Sequence, residues 1–177
     1  MNVIVQDRPN TPAAVEQKYL IVDCDVHPYQ KKPEELHQFM PARWVEHAKT
    51  IGGRSTNLFA GGPAFPRITP GSGMRADSWP EDGSRPGSDL KMMQDQIMDK
   101  YGISHAILMP LTMSERNPEF GVVMTRAMNE WQLAYWTDRD PRLKSGITVT
   151  VEDPDAAIAE IEKWAGDRRF THVQLPP

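Results

Sequence analysis

The sequence predicts an α/β fold, and specifically a (β/α)8 TIM barrel of which this chain holds the first four βα units. Short apolar or alternating segments occur at residues 19–27, 103–110, 142–151 and 170–176, as is typical of strands. Helical patterns separate these segments, which indicates βαβ units and a parallel sheet. The units are consecutive and similar in size. No G-x-G-x-x-G motif follows the first strand, so a dinucleotide-binding sheet is disfavoured.

Composition narrows the class of protein. The chain has 177 residues, enough for one domain with a sizeable core, and a net charge of −4. This charge gives no basic field, so nucleic acid is not an expected partner. No apolar run is as long as a membrane span, and residues 1–8 do not resemble a signal peptide. The single cysteine, Cys24, is expected to be a buried thiol of a cytoplasmic protein.

The segments outside the regular units differ in character. Residues 1–18 lack periodicity and are interpreted as an N-terminal arm. Pro33 begins a short helix, and a second helix is expected around residues 41–47. Residues 52–87 are rich in Gly, Pro, Ser and Arg and predict a long loop. We expect this loop to cross the barrel mouth or an interface, with Phe59, Phe65 or Trp79 partly buried.

The helices that precede the last three strands have recognisable ends. Ser88 is the expected N-cap of the first, and Gly102 is its C-terminal glycine. Asn117 and Asp153, each followed by proline, are the expected N-caps of the other two. The faces expected to be buried are Leu90, Met93, Ile97 and Tyr101; Phe120, Met124, Ala127, Trp131, Ala134 and Tyr135; and Ala157, Ile158, Ile161, Trp164 and Ala165.

The first strand carries the strongest functional signal. Alternation places Asp23, Asp25 and His27 on one face, opposite an apolar face formed by Leu20, Val22, Cys24 and Val26. Ligands bind at the C-terminal ends of parallel strands. A carboxylate and an imidazole two residues apart suit a divalent metal such as zinc, iron or manganese. The alternative is structural: Asp25 caps the following turn and His27 merely begins it.

The other histidines, one glutamine and three arginines differ in the roles that we expect for them. His37 and His47 are interpreted as surface or half-buried structural residues, and His105 as a hydrogen-bonded core residue. His172 and Gln174 share one face of the fourth strand, and Gln174, near its end, is a candidate for substrate binding. Three loop arginines are candidates for pairing with a substrate carboxylate, against the alternative that each is simply solvated: Arg67, Arg75 and Arg116.

Several motifs together resemble the N-terminal half of an amidohydrolase-superfamily protein. The similarity covers residues 19–177 and points to the branch of aminocarboxymuconate semialdehyde decarboxylase and related decarboxylases and hydrolases. The resemblance implies a (β/α)8 barrel with a metal at its C-terminal mouth. The motifs that carry it are residues 21–27, 92–103, 129–131, 138–143 and 153–157.

The resemblance also implies roles for particular residues. The family pattern at the end of the first strand is His-x-His, and this sequence has Asp25 and His27 at those positions. His27 and Asp25 are therefore expected to bind the metal, with Asp23 holding a ligand in orientation. The remaining metal ligands and the catalytic aspartate are expected beyond Pro177.

The expected function is hydrolysis or decarboxylation of a small carboxylate-bearing molecule by a metal-dependent enzyme. Zinc is the first choice of metal. An iron- or manganese-dependent oxygenase and a non-catalytic partner subunit are the alternatives. Half a barrel has unpaired strand edges, so the rest of the barrel is expected from residues after 177 or from another chain, in an oligomer.

Overall fold

The computed structural model describes residues 19–51, 74–111 and 117–175, which form an α/β fold around a parallel four-stranded sheet. The strand order is β1-β2-β3-β4, so each strand pairs with its neighbours in sequence. This confirms the predicted parallel α/β class and is consistent with part of a (β/α)8 barrel. The strands are β1 (Ile21–Val26), β2 (Ile103–Leu108), β3 (Leu143–Thr148) and β4 (Phe170–Gln174).

Helices connect the strands. They are α1 (Glu34–His37), α2 (Ala42–Ile51), a 3₁₀ helix (Ala76–Ser78), α3 (Leu90–Met93), a first π-helical turn (Gln94–Met98), α4 (Asp99–Tyr101), α5 (Pro118–Gln132), a second π-helical turn (Leu133–Thr137) and α6 (Pro154–Trp164). Across the described ranges, none of these helices has the length and apolar character needed to cross a membrane.

The helix caps largely follow the sequence. Asn117 accepts a hydrogen bond from the amide of Phe120 (3.2 Å), and Asp153 caps α6 in the same way. Gly102 ends α4 with a φ of 63°, the left-handed conformation that glycine tolerates. Ser88 was the wrong N-cap for α3. The carboxylate of the next residue, Asp89, accepts from the amide of Met92 at 2.9 Å.

The π-helical turns change which residues are buried. Ile97 and Tyr101, expected in the core, are 38% and 56% exposed, whereas Met98 is fully buried. A π-helical turn has i→i+5 hydrogen bonds, so the inward face continues five residues after Met93 rather than four. The buried side of this segment is therefore shifted by one residue from the predicted one.

The second π-helical turn has the same effect after α5. Trp131 and Trp136, five residues apart, are both buried in the core. Ala134 and Tyr135, which the α-helical pattern placed on the buried face, are only partly buried. The core between α1, α5 and the sheet is formed by Leu36, Met98, Ile103, Ala106, Leu108, Ala127, Met128, Trp131, Trp136 and Leu143.

Among the described strands, β1 lies at the edge of the sheet and pairs with β2 alone. Its terminal residue Val26 packs against the core, but Leu20 and Val22 are exposed. The prediction that Cys24 is buried is wrong, because its side chain is exposed as well. Alternation determines which residues share a face, whereas burial also requires a covering layer, and the start of this edge strand has none among the described residues.

A buried polar network joins α5 and α6 to the end of β3. The Asn129 side chain accepts from the amide of Thr148 (2.8 Å) and donates to its carbonyl (2.9 Å). Asn129 also donates to the carboxylate of Glu160, which accepts from the indole of Trp164 at 2.6 Å. Glu160 is buried where Ile158 was expected, and Ile158 is exposed. Its hydrogen bonds explain why the acid is accepted there.

At the start of β3, one arginine forms ion pairs with two carboxylates. Arg142 contacts Asp140 and Asp99, each at 2.7 Å, and Asp99 lies in α4, which precedes β2. Hydrogen bonds from Arg142 are the main cause that lowers the pKa of Asp140 to about 2. This ion-pair group therefore ties β3 to the helix that precedes β2.

The start of β4 repeats this arrangement. Arg169 contacts Asp167, two residues before it, at 2.5 Å and Asp138, which precedes β3, at 2.7 Å. The hydrogen bonds from Arg169 lower the pKa of Asp167. We call these two groups the arginine clips of β3 and β4.

Candidate metal centre

Asp25 and His27 converge at the C-terminal end of β1. His27 Nε2 lies 3.2 Å from Asp25 Oδ1, and the two side chains are 37% and 75% exposed. Val26, between them, points into the core, as the alternation of a strand requires. The two side chains are thus within reach of one metal ion, at the edge of the sheet where parallel α/β proteins bind ligands.

The hydrogen bond made by His27 Nδ1 indicates which of the two ring nitrogens carries the proton. Nδ1 lies 2.7 Å from the carbonyl oxygen of Met109, which can only accept, so Nδ1 carries a proton. In a neutral imidazole, Nε2 then has a lone pair, and this lone pair faces the Asp25 carboxylate. This arrangement suits a cation shared by the two groups, and it equally suits an ion pair between a protonated His27 and Asp25. Metal-binding histidines commonly donate their other N–H to a backbone carbonyl in this way.

Asp23 supports the main chain of this pair. Its Oδ1 accepts a hydrogen bond from the backbone amide of Asp25 at 3.1 Å. It therefore orients the peptide that carries Asp25, and no contact with the His27 imidazole is found among the described residues.

Within residues 19–51, 74–111 and 117–175, no three His, Cys, Asp or Glu side chains form a group able to hold a metal ion. The described part of the site thus supplies two donors. The interpretation of His105 as a hydrogen-bonded core residue is wrong, because the residue is exposed on β2. His37 and His47 are half-buried as expected, and the His47 ring packs on Phe120 with centroids 4.7 Å apart.

Gln174 lies at the end of β4, where its side chain reaches across the sheet. Its Nε2 donates to the carbonyl of Pro110 at 2.8 Å, which leaves Oε1 buried and without a partner in the described chain. Thr148 pairs with Gln174 in the register of β3 and β4, and its buried hydroxyl also has no partner there. These two oxygen atoms can accept or, for Thr148, also donate a hydrogen bond to a ligand.

Of the three candidate arginines, Arg75 alone lies within the described residues. Arg75 makes two hydrogen bonds to Asp77, at 2.9 and 2.5 Å, so its guanidinium is already paired with a carboxylate. Arg67 and Arg116 lie outside the described residues. Phe59 and Phe65 do as well, whereas Trp79 is described and partly buried.

The end of the long Gly/Pro-rich segment packs against the residues that follow β1. The amide of Tyr29 donates to the carbonyl of Gly87 at 2.8 Å. Lys31 bridges Asp82 (2.7 Å) and Asp89 (3.0 Å). The ammonium group of Lys31 is the largest cause that lowers the pKa of Asp82. This segment therefore lies beside the chain that leaves the candidate metal centre.

Arg85 of this segment favoured a loop that covers a site or an interface, but it was not among the arginines expected to bind a carboxylate. Its guanidinium carbon lies 3.8 Å from the centroid of the ring of Tyr29, which follows His27 by two residues. The contact itself links distant parts of the chain and has no sequence pattern.

The described part of the chain is a parallel α/β protein with strands in sequential order, and a carboxylate and an imidazole converge at the end of its first strand. The family model described as Amidohydrolase matches residues 22–177. The chain therefore belongs to the amidohydrolase family, whose members are typically metal-dependent hydrolase-type enzymes. Among curated proteins, no match to the chain was found.

Proposed function

We propose that this chain forms part of a metal-dependent enzyme that hydrolyses or decarboxylates a small carboxylate-bearing molecule. The observation that carries the proposal is the convergence of His27 Nε2 and Asp25 Oδ1 at 3.2 Å, with His27 Nδ1 held by the carbonyl of Met109. Membership of the amidohydrolase family supports it. The motifs at residues 21–27 and 92–103 favour the branch of aminocarboxymuconate semialdehyde decarboxylase and its relatives.

Each described residue of the site has its own proposed role. His27 Nε2 and an Asp25 oxygen would hold the metal, with zinc as the first choice for a mixed nitrogen and oxygen site. When bound, such an ion supplies Lewis acidity, which favours ionisation of water for hydrolysis or polarisation of a substrate oxygen for decarboxylation. Asp23 keeps the Asp25 peptide in place, and Gln174 Oε1 accepts a hydrogen bond from substrate.

The described donors are too few for a complete site. A catalytic metal that keeps one open position is usually held by three protein ligands. We therefore propose that further donors come from residues after 177 or from another chain. The same remainder would cover the free edges of β1 and β4, which makes an oligomer or a longer barrel the working unit. The exposed thiol of Cys24 suits a reducing compartment such as the cytoplasm.

One observation favours a second candidate function. A carboxylate at the first ligand position adds a hard oxygen donor, which suits iron or manganese and hence an oxygenase. Metal analysis of the purified protein separates the two functions. Zinc in a colourless protein supports hydrolysis or decarboxylation, whereas iron with visible absorption supports oxygen chemistry. A chain that binds no metal and has no activity with any partner would be a non-catalytic subunit.

The decisive experiment is a zinc titration of the purified protein by calorimetry. We expect His27→Ala and Asp25→Ala each to weaken zinc binding at least about 100-fold, since each removes a ligand. His105→Ala removes an exposed imidazole from the adjacent strand and serves as the matched control. Unchanged binding in both ligand variants would refute the metal site. In that case a protonated His27 paired with Asp25 would explain the geometry.

A further inference from the structure

We propose that Arg85 and Tyr29 form a carboxylate-binding site beside the candidate metal centre. The inference rests on the proposed function and deepens it by naming the group that recognises the substrate carboxylate. It assigns to Arg85 the pairing with a substrate carboxylate that the sequence suggested for Arg67, Arg75 and Arg116. The contact that defines the site is the guanidinium of Arg85 stacked on the Tyr29 ring at 3.8 Å.

Stacking leaves the hydrogen-bonding edge of the guanidinium available. A guanidinium lying on an aromatic face is held through its flat side, while its N–H groups point outward in the plane. This fork of N–H groups matches the two oxygen atoms of a carboxylate. The Tyr29 ring thus limits the motion of Arg85 without using its donors.

Arg85 is not neutralised by the acids around it. Among the described residues it has no side-chain hydrogen bond and no ion pair. The two nearest acids in sequence that flank it, Asp82 and Asp89, are both engaged by Lys31. Arg75, the sequence candidate that is described, is occupied by Asp77. Of the two arginines described in this segment, Arg85 is therefore the one with its donors still available.

Gly87 fixes the segment that carries Arg85 against β1. It has a φ of 81°, and its carbonyl accepts from the Tyr29 amide at 2.8 Å. A Cβ atom at this position would lie 3.0 Å from the carbonyl oxygen of His27 and 3.1 Å from Tyr29 Cδ2. The backbone two residues after Arg85 therefore touches the backbone of His27. A carboxylate bound by Arg85 would therefore lie beside the chain that leaves the end of β1.

The test uses benzoate as probe and benzamide as its uncharged isostere, with binding to the full chain measured by NMR. The variants are Arg85→Gln, Arg85→Lys and Tyr29→Leu. The matched control is Arg139→Gln, because the Arg139 guanidinium also lies over a tyrosine ring, Tyr135, at 5.0 Å but in the helical layer. Each protein is measured with zinc and after chelation, and thermal unfolding verifies that each variant is folded.

We expect benzoate but not benzamide to bind the wild type, and Arg85→Gln to weaken benzoate binding about tenfold or more. Arg85→Lys keeps the charge without the fork and should give an intermediate value. Tyr29→Leu should also weaken binding, whereas Arg139→Gln should not. Wild-type protein that does not bind benzoate, or Arg85→Gln that binds it equally well, would overturn the proposal.

The benzoate test can fail or succeed independently of the zinc-binding test of the proposed function. Dependence of benzoate binding on Arg85 in a protein that binds no zinc would keep the carboxylate site and reject the metal enzyme. If zinc binding depended on His27 and benzoate binding were unchanged in Arg85→Gln, the metal function would be kept and the carboxylate site rejected.

Discussion

The imidazole of His172 on β4 lies directly over the backbone of Gly146 on β3. The two residues are paired in the register of the sheet. A Cβ atom added to Gly146 would lie 2.6 Å from His172 Nε2 and 2.8 Å from Cε1. The space that a side chain at 146 would occupy is thus filled from the next strand, which explains a glycine in the middle of a buried strand.

Gly146→Ala should destabilise the protein by about 1–3 kcal/mol, because its methyl group must displace the His172 ring. Urea denaturation measures the loss. Gly166→Ala is the matched control, since a Cβ there meets nothing within 4 Å, and it should change stability by less than about 0.5 kcal/mol. In the double variant Gly146→Ala/His172→Ala the steric cost should disappear. Simple additivity of the two single changes would contradict this account.

Met98→Ala should cost about 2–5 kcal/mol, whereas Ile97→Ala should cost about 0.5 kcal/mol. Met98 is fully buried and Ile97 is exposed, although an uninterrupted α-helix would place Ile97 inward. Chemical denaturation of the two variants compares them directly. If Ile97→Ala were the more costly change, the segment would be a regular α-helix and the π-helical turn would be wrong.

Acid should weaken the protein through the clip of β3. The folded pKa of Asp140 is lowered from 3.8 to about 2, so its ionised form stabilises the fold above about pH 4. This contribution, about 2 kcal/mol, is lost as the pH falls from about 4 to 2. The stability difference between wild type and Asp140→Asn, measured in urea at several pH values, should shrink over this range. Asp95→Asn, at an exposed ion pair with Lys91, is the control and should give a small, flat difference.

Asp23→Ala should lower zinc affinity about 10- to 100-fold, because the Asp25 amide loses its acceptor and the Asp25 carboxylate its fixed position. Asp23→Asn keeps an oxygen acceptor and should stay close to wild type. Calorimetric titration with zinc measures both. Equal losses in the two variants would show that the charge of Asp23, rather than its hydrogen bond, matters.

The sequence predicted those parts of the fold that depend on neighbouring residues. The strands, the caps at Asn117 and Asp153 and the glycine at 102 each follow from a few consecutive side chains. The π-helical turns did not, because Ile97 and Met98 are equally apolar and only packing against the sheet selects between them. The exposure of Cys24 likewise depends on the layer that covers β1, and no residue of β1 encodes that.

The candidate site also has a part that neighbouring residues predict and a part that depends on long-range contacts. Alternation along β1 was enough to bring Asp25 and His27 together. The carbonyl oxygen that accepts a hydrogen bond from His27 Nδ1 belongs to Met109, which is 82 positions away in the sequence. The stacking of Arg85 on Tyr29 is also long-range. Sequence patterns therefore located the candidate ligands but not the contacts that set their protonation and surroundings.

The arginine clips cross-link parts of the chain that are distant in sequence. Each arginine stands at the start of a strand, and one of its two carboxylates precedes the neighbouring strand: Asp99 for Arg142 and Asp138 for Arg169. Each clip therefore closes a loop of chain that contains one whole strand and the helix after it, β2 and α5 for the first and β3 and α6 for the second. The clips thus act as non-covalent cross-links where successive strands of the sheet begin.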